Sequence, residues 1–138
     1  MKIIRINKED TWEIRHRVMW PDKDISYVKL EDDDAGIHYG LYEDDKLISI
    51  LSLFIDGDQA QFRKFATLRE EQGKGYGSLL LNYVINEAKV LDVKTIWCNA
   101  RKNKTGYYKK FGLEETKNIF EKGGIQYIIM EKQLEDES

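Results

Sequence analysis

Hydrophobic and polar positions near the amino terminus predict a strand followed by a helix. The β-branched residues of Lys2–Ile6 are typical of a short strand. Asn7 or Asp10 offers a side chain that can cap the helix that follows. This helix runs to about Trp20 and ends there, because Pro21 cannot continue it.

Three apolar runs in the middle of the chain predict an antiparallel meander. Residues 22–35 precede them, are acidic and lack periodicity, and therefore predict a loop or a short helix. The runs are rich in Ile, Leu, Phe and Tyr and have the length of strands: Gly36–Tyr42, Lys46–Ile55 and Gln59–Leu68. Glu43–Asp45 and Asp56–Asp58 separate the runs with residues typical of hairpin turns.

The pattern changes to helical spacing after these strands. Over Ser78–Leu91 apolar residues recur three and four positions apart, which predicts a helix that packs against a sheet. Lys94–Cys98 then predicts a short buried strand. The connection from Gln59–Leu68 to this strand crosses over through the helix, so the two strands should be parallel.

The end of the chain predicts a short helix and a hairpin. Thr105–Lys110 forms the helix, which Gly112 caps, and Leu113–Phe120 pairs with Ile125–Lys132. The element order is β-α-β-β-β-α-β-α-β-β, an α+β fold with a mixed, mostly antiparallel central sheet flanked by helices. Since no repeat or linker divides the sequence, residues 1–138 are expected to form a single domain.

Composition excludes several classes of protein. Apolar residues make up 41% of the chain and charged residues 34%, which fits neither disorder nor a membrane protein. Cys98 is the one cysteine, so no internal disulfide is expected, and a reducing cytoplasmic location is predicted. His16 and His38 are far apart in the sequence, so no metal site is predicted.

The charge distribution points to a local anion site and not to a nucleic-acid binder. The net charge is −3, but residues 101–110 carry five basic side chains and no acidic one. This patch fits a small polyanion, and a solvated helix face explains the same charges. No nucleic-acid partner and no membrane partner is expected.

The most informative segment is the glycine-rich turn of residues 71–78, Glu-Gln-Gly-Lys-Gly-Tyr-Gly-Ser. Alternating glycines allow a tight turn and a close approach of the backbone to a ligand. The helix that follows presents amide groups and a positive dipole end, which together suit a phosphate or pyrophosphate. No P-loop motif G-x-x-x-x-G-K-[ST] is present. The dinucleotide fingerprint G-x-G-x-x-G is incomplete, because Ser78 stands where its third glycine would be.

Two motifs resemble those of the GNAT acetyltransferase superfamily. Gln72–Gly77 is similar to the family's Q/R-x-x-G-x-G/A motif, and Tyr107–Leu113 is similar to its F-Y-x-K-x-G-F signature. The resemblance also covers Phe65–Thr67 and the long helix, and it extends over about residues 36–132 in element order. It implies a GNAT-like fold and an N-acetyltransferase that uses acetyl-CoA as co-substrate.

The resemblance also implies roles for particular residues. In the family, the turn holds the pyrophosphate of acetyl-CoA, and the strand before it pairs with the pantetheine arm and points an amide at the thioester carbonyl. The implied cofactor-binding residues are Phe65, Ala66, Thr67, Gln72, Gly73, Lys74, Gly75, Tyr76, Gly77, Ser78, Asn99, Arg101, Lys104 and Lys110. Tyr108 is the implied catalytic residue, which gives a proton to the departing CoA thiolate, and no metal is implied.

Three features depart from the family pattern or leave a role unassigned. Arg101 stands where many members carry an asparagine, and Lys104 takes a place often held by alanine. The base that deprotonates the amine is not identified; the candidates are Glu70, Glu71 and the acids of residues 31–34.

The implied reaction is direct attack by a primary amine on the thioester in a ternary complex. The acceptor is a small-molecule or peptide amine, and the acidity of residues 22–35 hints that it is cationic. The alternatives are a non-catalytic acyl-CoA sensor or interaction module of the same fold, and a polyanion-binding domain. A homodimer is one option for the assembly.

Overall fold

The computed structural model describes residues 1–134, which contain seven strands and three α-helices. The strands are β1 (Lys2–Ile6), β2 (Ile37–Glu43), β3 (Lys46–Asp56), β4 (Gln59–Thr67), β5 (Thr95–Arg101), β6 (Glu114–Lys122) and β7 (Ile125–Gln133). The helices are α1 (Lys8–Ile14), α2 (Tyr76–Val90) and α3 (Thr105–Lys109). This element order confirms the predicted α+β fold.

The strands form a mixed sheet in the order β1-β2-β3-β4-β5-β7-β6. Antiparallel pairing joins β1 to β2, β2 to β3, β5 to β7 and β6 to β7. β4 and β5 are parallel, with Gln59–Gln61 opposite Thr95–Trp97. The chain passes through α2 between these two strands, so the predicted crossover is confirmed.

The chain divides into two compact units. The first contains Met1–Phe54 and Arg63–Ile85, and the second contains Ile55–Phe62 and the described chain from Asn86 onward. Fully buried apolar side chains of the first unit include Ile48, Ile50, Leu51, Leu80, Leu81 and Val84. Buried apolar side chains of the second include Ile96, Ala100, Leu113 and Met130. The single domain over residues 1–138 stays a prediction.

The first helix begins where the sequence predicts and changes its winding before the predicted end. Asn7 is its N-cap, and the Asp10 carboxylate accepts a hydrogen bond of 3.1 Å from the Asn7 N–H. After Ile14 the chain continues as a π-helical turn over Arg15–Met19. This π-helical turn, which is wider than an α-helical one, starts at Arg15, and the Arg15 side chain is fully buried.

The acidic stretch of residues 22–35 contains two short 3-10 turns, Ile25–Val28 and Asp33–Ala35. The prediction of a loop or short helix is therefore confirmed. Within residues 1–134, no helix combines the length and the apolar character needed to cross a bilayer.

Candidate active site

The glycine-rich turn adopts backbone conformations that favour glycine at two positions. Gly73 has φ of +80° and Gly75 has φ of +87°, a region that costs other residues roughly 1–2 kcal/mol. A Cβ built at either position would meet no atom within 4 Å. The need for glycine is therefore conformational, and the space beside the turn is open.

α2 begins at Tyr76, within the glycine-rich turn of residues 71–78, so its amino-terminal amides lie beside the left-handed glycines. A backbone hydrogen bond at its amino terminus runs from the Leu79 N–H to the Gly75 carbonyl, at 3.1 Å. The N–H groups of Tyr76 and Gly77 precede that bond. No acidic residue lies in the first turn of α2, so the positive end of the helix dipole is not neutralised from within the helix.

The first turn of α2 packs closely on the end of β4. A Cβ at Gly77 would lie 3.3 Å from both the Phe65 ring and the Thr67 hydroxyl oxygen. Gln72 adds a second link, because its Nε2 donates a 2.9 Å hydrogen bond to the Thr67 carbonyl oxygen. The predicted site residues from Phe65 to Ser78 are thus brought together within the first compact unit, with Ala66 buried in its core and Ser78 half-buried in the helix.

β4 departs from a regular strand before it reaches these residues. Its parallel pairing with β5 extends only over Gln59–Gln61, although β4 itself continues to Thr67. Lys64 has φ of +54°, a left-handed conformation within a strand of the kind found at β-bulges. The sequence contains no signal for this residue's conformation.

Two polar side chains of the turn already have partners. Lys74 Nζ lies 2.7 Å from a Glu71 carboxylate oxygen, and this hydrogen bond raises the pKa of Lys74. Burial raises the pKa of the Tyr76 phenol, and the nearby Glu43 carboxylate, which accepts its hydrogen bond, raises it further. The Glu71 carboxylate is therefore engaged with Lys74 of the same turn.

Tyr108 lies in α3 within the second compact unit, surrounded by aromatic rings. Its ring centroid is 5.7 Å from that of Phe62 and 5.4 Å from that of Tyr107. Burial raises the pKa of the Tyr108 phenol well above its usual value near 10, and the negative charges that Cys98 and Tyr107 carry when ionised add to the effect. The phenol is therefore protonated at neutral pH, as a proton donor must be.

Cys98 has no features of a nucleophile. Its side chain is buried, and burial raises the pKa of the thiol to about 12. A thiol of that pKa is protonated at neutral pH and inert. Its burial agrees with the buried strand that was predicted over Lys94–Cys98.

The basic side chains around α3 differ in how they are paired. Lys109 Nζ lies 3.5 Å from the Glu115 carboxylate. Three basic side chains that are predicted to bind the cofactor are exposed, and none of them is paired with an acid among the ion pairs of the described chain: Arg101, Lys104 and Lys110. The uncharged Asn99 is exposed as well. A local positive field therefore remains available for an anion.

Five of the candidate bases, Glu70, Glu71 and Asp32–Asp34, are engaged with basic side chains. Glu70 lies 3.4 Å from Arg17 and 3.7 Å from Lys46. A hydrogen bond from its own backbone N–H, aided by these two cations, lowers the pKa of Glu70 and makes it a weaker base. Asp32 pairs with Arg63, Asp33 with Arg15 and Asp34 with Lys8. The charge of these three aspartates is compensated inside the chain, and the base stays unassigned.

A buried ion pair anchors residues 22–35 to the sheet. The Arg15 guanidinium donates to both carboxylate oxygens of Asp33, at 2.9 and 3.0 Å. It also donates to the Val28 carbonyl and the Ser52 hydroxyl, each at 3.0 Å. Burial alone would raise the pKa of Asp33, but the hydrogen bonds from Arg15 and from a backbone N–H outweigh it and lower that pKa.

We expect Asp33→Asn to destabilise the protein by about 3 kcal/mol, because it leaves the buried Arg15 charge without its counter-ion. The lowered native pKa also means that the wild-type pair contributes fully above the unfolded value near 3.9 and less as pH falls. Unfolding curves in urea at pH 7 and at pH 4 measure both effects, and the difference between the two proteins should shrink at the lower pH.

The matched control is Asp34→Asn, the neighbouring carboxylate, whose side chain is 82% exposed. An exposed pair of this kind contributes less than about 1 kcal/mol. An equal loss of stability in the two variants would contradict a special role for the buried pair.

Two buried polar side chains of the first unit were missed from the sequence, Arg15 and Ser49. Ser49 is fully buried in β3, and its hydroxyl lies 3.2 Å from the Ala66 carbonyl oxygen. A serine inside the apolar run of residues 47–53 was the available signal, because a buried polar group requires a partner.

Comparison with known proteins identifies the family. A family model described as an acetyltransferase (GNAT) domain matches residues 20–134. The uncharacterized N-acetyltransferase YitI of Bacillus subtilis (strain 168) is 34% identical over 144 residues, which covers 97% of this chain and 97% of YitI. The chain belongs to the GNAT acetyltransferase family.

Solved structures agree with this GNAT fold. The ribosomal-protein-S18-alanine N-acetyltransferase of Escherichia coli superposes with a TM-score of 0.82 at 18% identity and covers 99% of this chain and 96% of its own. A GNAT family acetyltransferase of Elizabethkingia anophelis with acetyl-CoA bound gives a TM-score of 0.75 at 18% identity, covering 96% and 97%. At such identities the similarity establishes the architecture.

Each compact unit of this GNAT protein contains some of the predicted site residues. Residues from Phe65 to Ser78 lie in the first, and the residues from Asn99 to Lys110, Tyr108 among them, lie in the second. Their roles toward a cofactor remain predictions.

Proposed function

We propose that this GNAT protein transfers an acetyl group from acetyl-CoA to a primary amine by direct attack in a ternary complex. The observation that carries the proposal is the glycine-rich turn. Its left-handed glycines lead into the amino terminus of a 15-residue helix with no acidic residue in its first turn. Backbone amides in this arrangement suit the pyrophosphate of CoA.

The basic side chains near α3 support a second contact with the cofactor. Arg101, Lys104 and Lys110 are exposed and lie close together in the sequence. Such charges suit the phosphates at the nucleotide end of CoA. The related protein of Elizabethkingia anophelis, crystallised with acetyl-CoA, supports acetyl-CoA as the ligand.

The chemistry follows from an amine, a thioester and a proton donor. The amine nitrogen attacks the thioester carbonyl carbon, and a backbone N–H of β4 stabilises the negative charge that develops on the oxygen. The carbon–sulfur bond then breaks, and the Tyr108 hydroxyl gives its proton to the departing thiolate. The attacking nitrogen releases one proton to solvent and the Tyr108 phenolate regains one from solvent, so the net products are an N-acetyl amide and CoA.

The acceptor class is a small-molecule or peptide amine. Since Asp32, Asp33 and Asp34 are compensated by basic side chains of the chain itself, their charge gives no preference for a cationic acceptor. We therefore propose an acceptor screen that includes neutral amines and peptide amino termini as well as polyamines.

Acetyl-CoA is expected to stabilise the folded protein. A ligand present at about 100 times its Kd, and specific for the native state, adds roughly 2.7 kcal/mol. For a chain of this size that corresponds to a rise in Tm of about 9 °C. Inorganic pyrophosphate at the same concentration is the control and should raise Tm by much less.

An unchanged Tm at millimolar acetyl-CoA would refute the proposal. Stabilisation without release of free thiol across a panel of amines would instead favour the alternative, a domain that holds acyl-CoA without turnover.

A further inference from the structure

The hairpin of β6 and β7, which lies in the second compact unit, has one buried side and one partly accessible side. Ile128 and Met130 of β7 are buried, whereas Tyr127 and Ile129, which alternate with them, are half-buried. The Phe120 ring of β6 lies opposite Tyr127 and stacks on it, with centroids 5.3 Å apart and an interplanar angle of 16°. Phe120, Tyr127 and Ile129 form the apolar centre of the accessible side, which we call the hairpin face.

Two carboxylates lie side by side at one end of the hairpin face. Glu114 of β6 is the cross-strand neighbour of Glu131 of β7, and Glu131 follows Ile129 by two residues, so it lies on the same side. Like charges directly opposite each other destabilise a sheet. Within residues 1–134, neither carboxylate takes part in an ion pair. The described chain therefore leaves this acidic pair uncompensated.

A lysine without an acidic partner lies at the opposite end of the hairpin face. Lys122 is exposed and is the cross-strand neighbour of Ile125. It forms no ion pair in the part of the chain that the structure describes. Ile125 precedes Glu131 by six residues, which is about 20 Å along a strand. Because that span exceeds the reach of a lysine side chain, Lys122 does not neutralise the acids of its own hairpin.

The hairpin face is self-complementary about the middle of β7. We consider a second copy that packs on this face with its strands antiparallel to the first. A two-fold axis at the position of Ile128 then brings Tyr127 opposite Ile129 of the second copy. The same axis brings Ile125 opposite Glu131 of that copy. A two-fold contact repeats every pairing in reverse, so both ends of the face are matched at once.

The charged groups of β6 follow the same symmetry. Lys122 lies beside Ile125, and Glu114 lies beside Glu131. The two-fold axis therefore places Lys122 of each copy over Glu114 and Glu131 of the other. The acidic pair that the single chain leaves uncompensated thus receives a cation at each end of the contact.

We propose that this chain forms a two-fold homodimer in which the hairpin faces of two copies pack on each other. Tyr127 and Ile129 supply an apolar centre and the charged groups supply a polar rim, which is the usual arrangement of a protein interface. The charge pattern favours a second copy as the occupant, because the partner must carry a cation and an acidic pair at the spacing that this face itself has. No residue of the contact belongs to the predicted cofactor or catalytic set, so the proposal is independent of the proposed function.

Charge reversal followed by mixing tests the contact. We expect sedimentation equilibrium to show a wild-type dimer at tens of micromolar. Lys122→Glu brings three carboxylates together at each end and should raise the Kd of the dimer about a hundredfold. The double variant Glu114→Lys with Glu131→Lys brings three lysines together and should have the same effect. An equimolar mixture of the two variants should restore the dimer, because both charged clusters of a mixed dimer contain opposite charges.

Glu121→Lys is the matched control for these variants. Glu121 precedes Lys122, is exposed, and lies opposite Gln126 on the other side of the hairpin. Its dimer Kd should stay within about threefold of the wild type, since an exposed charge outside a contact has little effect. Circular dichroism verifies that each variant is folded before it is mixed, and Glu114→Lys alone replaces the double variant if that one does not fold.

Three results would overturn the proposal. The first is a wild type that stays monomeric up to about 0.1 mM, which is weaker than a specific homodimer requires. The second is a dimer that persists unchanged in both charge-reversed variants, because its contact would then lie elsewhere on the chain. The third is a mixture of the two folded variants that stays monomeric, because the charges would then not face each other as the two-fold axis requires.

Discussion

Tyr108→Phe is expected to lower turnover by about 10²–10⁴-fold, the usual contribution of general acid catalysis. The substitution removes only the hydroxyl and keeps the ring in contact with Phe62 and Tyr107, whose centroids lie 5.7 and 5.4 Å away. Stability and the Kd for acetyl-CoA should therefore change little. Thiol release at saturating substrates measures the rate, and a separate titration measures the affinity.

Tyr107→Phe is the matched control for this experiment. Tyr107 is the preceding residue of α3 and packs on Phe111 at 5.1 Å between centroids, so the same hydroxyl deletion is made one position away. Its turnover should stay within about twofold of the wild type, because successive helical residues point about 100° apart. Full activity of Tyr108→Phe, or a larger loss in Tyr107→Phe, would remove Tyr108 from the mechanism.

Since burial raises the pKa of Tyr108 well above 10, the donor keeps its proton throughout the neutral range. We therefore expect no loss of wild-type turnover from ionisation of this tyrosine between pH 7 and pH 9. An alkaline decline in that interval would have to come from another group.

Gly75→Asp is expected to weaken acetyl-CoA binding by about a hundredfold. A carboxylate about 5 Å from a phosphate charge costs roughly 3 kcal/mol at an effective dielectric constant near 20. The position itself accepts a side chain sterically, since a Cβ there meets no atom within 4 Å. The fold should therefore survive, and titration calorimetry with acetyl-CoA measures the loss.

Gly75→Asn separates charge from backbone strain. Asparagine has nearly the shape of aspartate, and both tolerate the left-handed conformation better than most residues, which matters at φ of +87°. We expect the asparagine variant to bind within about tenfold of the wild type. Equal losses in the two variants would mean that no phosphate charge lies beside this turn.

Local pattern was enough to predict most elements, and the differences at their ends have physical causes. The predicted strand Lys2–Ile6 has the observed bounds. α2 begins at Tyr76, earlier than the predicted Ser78, because Gly77 is helical at a position where a Cβ would lie only 3.3 Å from Phe65 and Thr67. The predicted start of the helix lay after Gly77, because glycine is unfavourable inside helices.

β5 shows how long-range pairing extends an element beyond its apolar pattern. The apolar run predicted a strand that ends at Cys98, but the strand continues to Arg101. Asn99 and Arg101 lie opposite Ile129 and Tyr127 of β7. Backbone pairing with a distant strand holds these polar residues in the sheet, and no local propensity encodes that partner.

The sequence by itself determined the order of the elements, the family and the place of the glycine-rich turn. Each of these depends on residues that are close along the chain: apolar spacing, turn residues and glycines at positions that need left-handed backbone. The tertiary structure alone decided which distant groups meet. The Ser49 hydroxyl on the Ala66 carbonyl, the Arg15–Asp33 pair and the raised pKa of Tyr108 arise because folding places residues from separate elements in a common buried environment, where hydrogen-bond partners and loss of water set their chemistry.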